Sequence, residues 1–249
     1  MRLRDRVALI TGGSRGIGRA VAVAFAREGA DVAVVGSSDQ HALTEVEREI
    51  SATGKEVLAL RADVSRKSEI EDLVQQVLER WGRIDILVNN AGILHPNKLE
   101  EISETQWSTT LAVHLTGTFL CTQAVLPVMK ARGRGKIINV AAPSALRGSF
   151  GVADYAAAKG GIIAFTRNAA SELKADNIQV NCISPVAETR MTEALIAFRR
   201  QHLSESLATF GQAKRAEPEA VAPAFVFFAC SDSDYITGQV LAVDGGLTA

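Results

Sequence analysis

The sequence predicts an α/β fold, a doubly wound parallel sheet flanked by helices on both faces. Three observations predict it. Short apolar runs of strand length alternate with amphipathic helical patterns from end to end, as strands joined by crossover helices require. A glycine-rich turn separates the first apolar run from the first helical pattern. Tyr155 and Lys159 stand four residues apart on a helical pattern, which stacks a phenol and an ammonium on one face.

Composition bounds the rest. The chain has 249 residues, 47% apolar and 22% charged, which fits a single domain with a sizeable core. A net charge of -1 gives no reason to expect nucleic acid or an anionic membrane surface as a partner. Met1 to Arg6 leads straight into a strand without an apolar signal stretch, and no run is expected to reach the ~18 apolar residues of a membrane span. Cys121, Cys182 and Cys230 are odd in number and widely spaced in apolar sequence, which argues against a disulfide framework or a metal site. A reducing cytoplasm is the expected compartment.

In chain order, Arg6 to Thr11 reads as the first strand, running into Gly12, Gly13, Ser14, Arg15, Gly16, Ile17 and Gly18. Backbone amides at a helix start carry unpaired donors and a positive dipole, so this turn is a candidate phosphate cradle. A tight turn without a ligand is the alternative. Asp31 to Val35 reads as the second strand, and its tip offers Ser37 and Ser38, with Asp39 lying further on. An acidic residue at the tip would favour NAD; small hydroxyls with Arg15 projecting nearby suit a 2′-phosphate, because a guanidinium fork matches phosphate oxygens. NADPH/NADP+ is the expected cofactor.

The third strand, Glu56 to Arg61, leads to Asp63 and Val64; Asp63 is either a contact for an adenine amine or a turn residue. Ser65 reads as the cap of the next helix. The fourth strand, Ile84 to Val88, leads to Asn90, Ala91 and Gly92, which leave room for a flat group to pass. A helical pattern from Glu104 to Arg132 contains Pro127, where a kink or restart is expected. The fifth strand runs from Gly135 to Val140, and the helix carrying Tyr155 and Lys159 is rich in small residues. Asn177 to Ser184 and Gln239 to Val243 complete the strands, while Pro223 inside a late helix has no explanation in the sequence.

Thr11 to Gly18, Asp63-Val64, Asn89 to Gly92, Tyr155 to Lys159 and Val243 to Gly246 occur in an order and spacing that resembles the short-chain dehydrogenase/reductase family, across essentially the whole chain. The resemblance implies a Rossmann-like domain over 1–249, with a cofactor half about 1–140, a substrate half about 141–249 and a lid about 186–216. It implies a homotetramer that moves hydride between NAD(P)H and a small-molecule carbonyl, in the manner of the 3-oxoacyl carrier-protein ketoreductases, on substrates that include acyl- or carrier-bound ones. By the same resemblance Tyr155 gives the proton, Lys159 lowers the tyrosine pKa and holds the nicotinamide ribose, Asn90 lines the cofactor site, and Pro185 and Thr189 lie at the nicotinamide.

Three positions depart from the family pattern. Ala142 stands where the active-site serine is usual, His114 where an asparagine is usual, and Pro185 to Thr189 is one glycine short. His114 is either a proton relay near neutral pH or a packed helix residue. Ser144 is the nearest hydroxyl to the missing serine, but Pro143 biases Ala142 towards an extended backbone, which would carry Ser144 ~6–7 Å further along. The expectation is therefore that Tyr155 works with a water or a substrate hydroxyl. Leu94, Leu146, Phe150, Met191 and Leu195 suggest an apolar pocket; Arg199, Arg200, Lys214 and Arg215 either attract an anionic substrate or form a solvated face. The Ala142 departure leaves two alternatives open: an NADP-binding sensor or assembly partner with little redox turnover, and dehydratase or isomerase chemistry.

Overall fold

The computed structural model describes residues 1–204 and 216–249. Seven strands form one sheet in the order β3-β2-β1-β4-β5-β6-β7, every pairing parallel. They are β1 Val7–Thr11, β2 Asp31–Gly36, β3 Val57–Arg61, β4 Ile86–Asn89, β5 Gly135–Val140, β6 Ile178–Pro185 and β7 Val240–Val243. The helices are α1 Gly16–Arg27, α2 Gln40–Ser51, α3 Lys67–Trp81, α4 Glu104–Leu111, α5 Gly117–Ala131, α6 Ser144–Arg147, α7 Ala153–Leu173, α8 Arg190–His202 and, beyond the undescribed residues, α9 Pro218–Ala229.

Successive strand residues face opposite sides, and the central strands are apolar on both. Ala8, Ile10, Val32, Val34, Ile86 and Val88 pack against Val21 and Phe25 of α1, Leu43 and Val46 of α2, and Phe225 of α9. Their neighbours Leu9, Ala33, Val35 and Leu87 pack against Ile70 and Leu73 of α3, Val125 and Met129 of α5, and Leu173 of α7. The strand order reverses between β1 and β4, and open parallel sheets bind ligands beyond the carboxyl ends at such a point. There the glycine turn after β1 meets the Asn89 to Gly92 turn after β4.

The long helical stretch breaks in a different place from the one the sequence indicates. It runs through Pro127 without interruption, and its irregular segment is a π turn at Ala112–Thr116, fifteen residues or fewer upstream. Pro127 and Gln123, whose carbonyl loses its helical donor, are both exposed, so water can satisfy that carbonyl and the helix need not bend. Pro223 is accommodated in the same way: it and Glu219 lie on the exposed side of α9. By length and composition Glu104–Ala131 could cross a membrane, contrary to the sequence expectation; in the fold its buried side, with Thr118, Cys121, Val125 and Met129, joins the core. Ser65 does not cap α3 either. Its hydroxyl turns back to Asp63, and the helix begins at Lys67 after an uncapped Arg66.

Candidate active site

At the glycine turn, Arg15 precedes α1 without a side-chain cap bond, and no acidic residue occupies the first turn, which leaves the helix start free for an anion. Asn90 braces this turn from beneath. Its Nδ2 donates to the carbonyls of Thr11 and Gly12, at 3.1 and 3.0 Å. Position 18 must be glycine, because a Cβ there would lie 2.1 Å from the Gly12 carbonyl oxygen and 2.5 Å from Asn90 Nδ2. The amide of Asn90 is thus committed to the protein, and its backbone, with Ala91 and Gly92, forms the floor beyond. Thr189 caps α8 through a reciprocal pair with Thr192, and its methyl borders Gly16. The segment after Pro185 therefore closes over the glycine turn despite its missing glycine.

Ser37 and Ser38 are exposed at the tip of β2. Arg15 stands beside them, but its Nη2 pairs with Asp39 Oδ2 at 3.0 Å, a contact that the sequence reading missed because it placed Asp39 out of reach. Asp39 is fixed by its other oxygen, which accepts from Ala42 N and caps α2; that bond first, and Arg15 among the rest, holds its carboxyl below the usual range. A second cation was also missed. Arg61, paired in register with Gly36, donates from Nε to the Ser37 carbonyl at 3.1 Å. Asp63 forms a tight turn with Ser65 through Oδ1, at 2.9 Å to the amide and 2.7 Å to the hydroxyl.

At the other end of the cleft, Lys159 is buried on α7 and donates from Nζ to the Val140 carbonyl at 2.6 Å, which seats it at the carboxyl end of β5. Its ammonium is 5.5 Å from the Tyr155 ring centroid. Burial lowers the Lys159 pKa to about 8 and raises that of Tyr155. Desolvation penalises the phenolate, and Lys159 Nζ is directed at the Val140 carbonyl.

His114 lies in the π turn and is 1% exposed. Its ring meets that of Tyr155 edge-on at 5.0 Å, and its Nε2 lies 3.1 Å from Ile93 N and 2.8 Å from Ile93 O. Gly92 makes room for it, since a Cβ there would stand 2.3 Å from His114 Cε1. Burial, with the charge of Lys159 second, lowers its pKa to about 3. Its burial and its contacts with Ile93 favour the packed helix residue over the proton relay: the ring is a strut that ties the helix to the Asn90 to Ile93 loop. Its Nδ1 is buried without a partner.

Asp154 was not anticipated. It is 2% exposed and accepts from Thr110 Oγ1 at 2.9 Å, Gln106 Nε2 at 3.1 Å and Tyr155 N at 2.8 Å. This carboxylate joins α4 to the first turn of α7, where Tyr155 sits. Among the described residues no group of three His, Cys, Asp or Glu side chains converges as a metal site would.

The whole chain has relatives. Residues 12–248 match the family model described as enoyl-(acyl carrier protein) reductase. The 3-oxoacyl-(acyl-carrier-protein) reductase of Chlamydia pneumoniae is 42% identical over 96% of each chain. A hydroxy(phenyl)methylsuccinyl-CoA dehydrogenase subunit of Thauera aromatica is 40% identical over 99% of this chain and 98% of its own. The crystal structure of levodione reductase superposes with a TM-score of 0.93 at 34% identity, covering 99% of each chain. The chain belongs to the short-chain dehydrogenase/reductase family.

For a short-chain dehydrogenase/reductase, the tip of β5 is unusual. Ala142 places a buried methyl where the family carries a hydroxyl. The backbone beyond it is not extended, as the sequence reading expected. Pro143 is helical, Ala145 N donates to Ala142 O at 3.0 Å, and Leu146 N and Arg147 N both reach Pro143 O. Pro143 takes the second position of this turn, which its fixed φ suits, and the chain curls into α6, which packs on α7. Ser144 Oγ is buried there with no hydrogen-bond partner. Over this loop lies α8, with Phe198 stacked on Phe150 at 5.9 Å and Arg199 bonded to Ser149 Oγ and Phe150 O. Arg199 is therefore a lid fastening rather than a solvated charge, while Lys214 and Arg215 lie outside the described residues. Leu146 and Phe150 are exposed beside the lid; Leu94, Met191 and Leu195 are half-buried.

Proposed function

We propose that this protein reduces a ketone to an alcohol with NADPH, Tyr155 acting as the proton donor. The observation that carries this reading is the seating of Tyr155 and Lys159 on one face of α7, between the carboxyl end of β5 and the loop after β4. The donor set fits the cofactor: the amides at the start of α1 would hold a pyrophosphate, Arg15, Arg61, Ser37 and Ser38 would hold a 2′-phosphate, and Ala91, Gly92, Pro185 and Thr189 would border the nicotinamide. NADPH, when bound, supplies hydride to the carbonyl carbon. Tyr155 gives its proton to the carbonyl oxygen, so the phenolate it leaves is reprotonated from solvent. A phenol holds its proton at neutral pH at its ordinary pKa of ~10, and Lys159 stabilises the phenolate as it forms, which makes that proton easier to give.

We assign the second hydroxyl of the site to Ser144, whose unsatisfied Oγ costs about 1–3 kcal/mol if it has no role. The substrate class we infer is a 3-oxoacyl or related thioester ketone, carried by coenzyme A or a carrier protein. The two relatives named for thioester substrates and the apolar residues around the lid support it. Exposed Trp107, Phe119 and Leu241 provide apolar surface for the homotetramer that we also infer. The test is NADPH oxidation across a panel of 3-oxoacyl thioesters and simple ketones. Tyr155→Phe should bind NADPH with nearly unchanged affinity and lose several orders of magnitude in turnover. Tight NADPH binding without oxidation of any panel member would instead favour the reading that Ala142 supports, a sensor or assembly partner or a dehydratase or isomerase on this fold.

A further inference from the structure

At the amino ends of β1, β4 and β5, opposite the cofactor end of the sheet, four arginines converge on one carboxylate. Asp85 is 3% exposed. Arg83 binds it through both fork positions, Nε to Oδ2 at 2.7 Å and Nη2 to Oδ1 at 2.5 Å, and Val7 N donates to Oδ2 at 2.9 Å. Three more guanidiniums approach Oδ1 without reaching it: Arg6 Nη1 at 3.7 Å, Arg134 Nη2 at 3.8 Å and Arg132 Nε at 4.0 Å. Those distances exceed hydrogen-bond length.

Asp85 neutralises one of these charges and leaves three. Nearby carboxylates do not make up the difference, since Asp176 pairs with Lys130 and Asp234 with Lys136. The side chains of Arg6, Arg132 and Arg134 make no hydrogen bond to any described residue, yet they are only one third to two fifths exposed. Like charges this close repel, and after burial the first cause that lowers the Arg134 pKa is the charge of Arg6. The arrangement has surplus positive charge, unused N–H donors and a common centre, close enough to share one phosphate group. Guanidinium forks match phosphate oxygens in pairs.

We propose that Arg6, Arg132 and Arg134 form a binding site for a polyvalent phosphate oxyanion, separate from the cofactor cleft and at the opposite, amino end of the strands. The anion takes the unused donors and relieves the repulsion, so its binding stabilises the fold. The probe is inorganic pyrophosphate, titrated calorimetrically at fixed ionic strength into protein saturated with NADPH, so that the glycine turn is filled. Saturable binding is expected, with a matching rise in Tm that a monovalent salt of equal ionic strength does not give. The double variant Arg132→Ala/Arg134→Ala, and independently Arg134→Gln, should weaken binding by at least about tenfold and leave NADPH affinity unchanged. No saturable binding, or full binding in both variants, would overturn the site. So would loss of binding in Arg15→Ala, which would place the anion at the glycine turn, or saturation by an acidic peptide where pyrophosphate fails, which would assign the cluster to a protein surface.

Discussion

Ser144 and His114 each carry a buried polar atom without a partner, and each leads to a measurement. If Ser144 holds the carbonyl oxygen, Ser144→Ala should lower kcat by ~10²–10³, the usual cost of losing one such donor, with NADPH affinity unchanged. Restoring a hydroxyl in the double variant Ala142→Ser/Ser144→Ala should recover much of it. A loss smaller than tenfold would return the role to a water or a substrate hydroxyl. His114 makes a different prediction, about acid. Its pKa is about 3 in the fold and about 6.5 in an unfolded chain, so between those values the unfolded state binds one more proton. Stability from the neutral ring is complete above pH ~6.5 and is lost as pH falls towards 3, at up to about 1.4 kcal/mol per pH unit. His114→Asn should flatten the pH dependence of the denaturant-derived unfolding free energy by one proton in that window. An unchanged slope would mean that the ring is not held neutral.

Among the elements, α7 is the one on which the chemistry rests, and its first turn is held by Asp154. Small residues let it approach its neighbours: at Gly161 a Cβ would lie 2.8 Å from a methyl of Leu115 in the π turn. Close approach alone does not fix the rotation of Tyr155 about the helix axis, whereas a carboxylate shared by Thr110, Gln106 and Tyr155 N does. Asp154→Ala strands these donors, two of them side chains of α4, and should cost about 2–4 kcal/mol in urea unfolding. It should also lower kcat far more than it raises the NADPH Kd, because the cofactor turns belong to β1, β2 and β4. Equal losses in both quantities would show that Asp154 supports the fold generally rather than the placement of Tyr155.

For the molecule as a whole, cofactor choice depends on three elements meeting at one edge: the turn into α1 brings Arg15, the end of β2 brings Ser37 and Ser38, and the end of β3 brings Arg61. NADPH should bind at least about tenfold more tightly than NADH, a difference of about 1.4 kcal/mol. Arg15→Ala should erase most of that gap and Arg61→Ala part of it. Equal dissociation constants for the two cofactors in the unmodified protein would refute the assignment. The sheet, its helices and the glycine, asparagine and Tyr155–Lys159 signatures were legible in the sequence, since hydrophobic period, turn glycines and i, i+4 spacing are local properties that survive without knowledge of packing. Tertiary structure decided what depends on partners distant along the chain: Asp39 against Arg15, Arg61 at Ser37, the carboxylate of Asp154 between two helices, and the burial that raises Tyr155 while lowering Lys159 and His114. The two backbone errors have the same origin. Local rules ran the chain extended from Ala142 to Ser144 and broke the helix at Pro127, but Pro143 opens a turn whose bonds curl the chain into α6, and the exposed carbonyl at Gln123 made the second unnecessary.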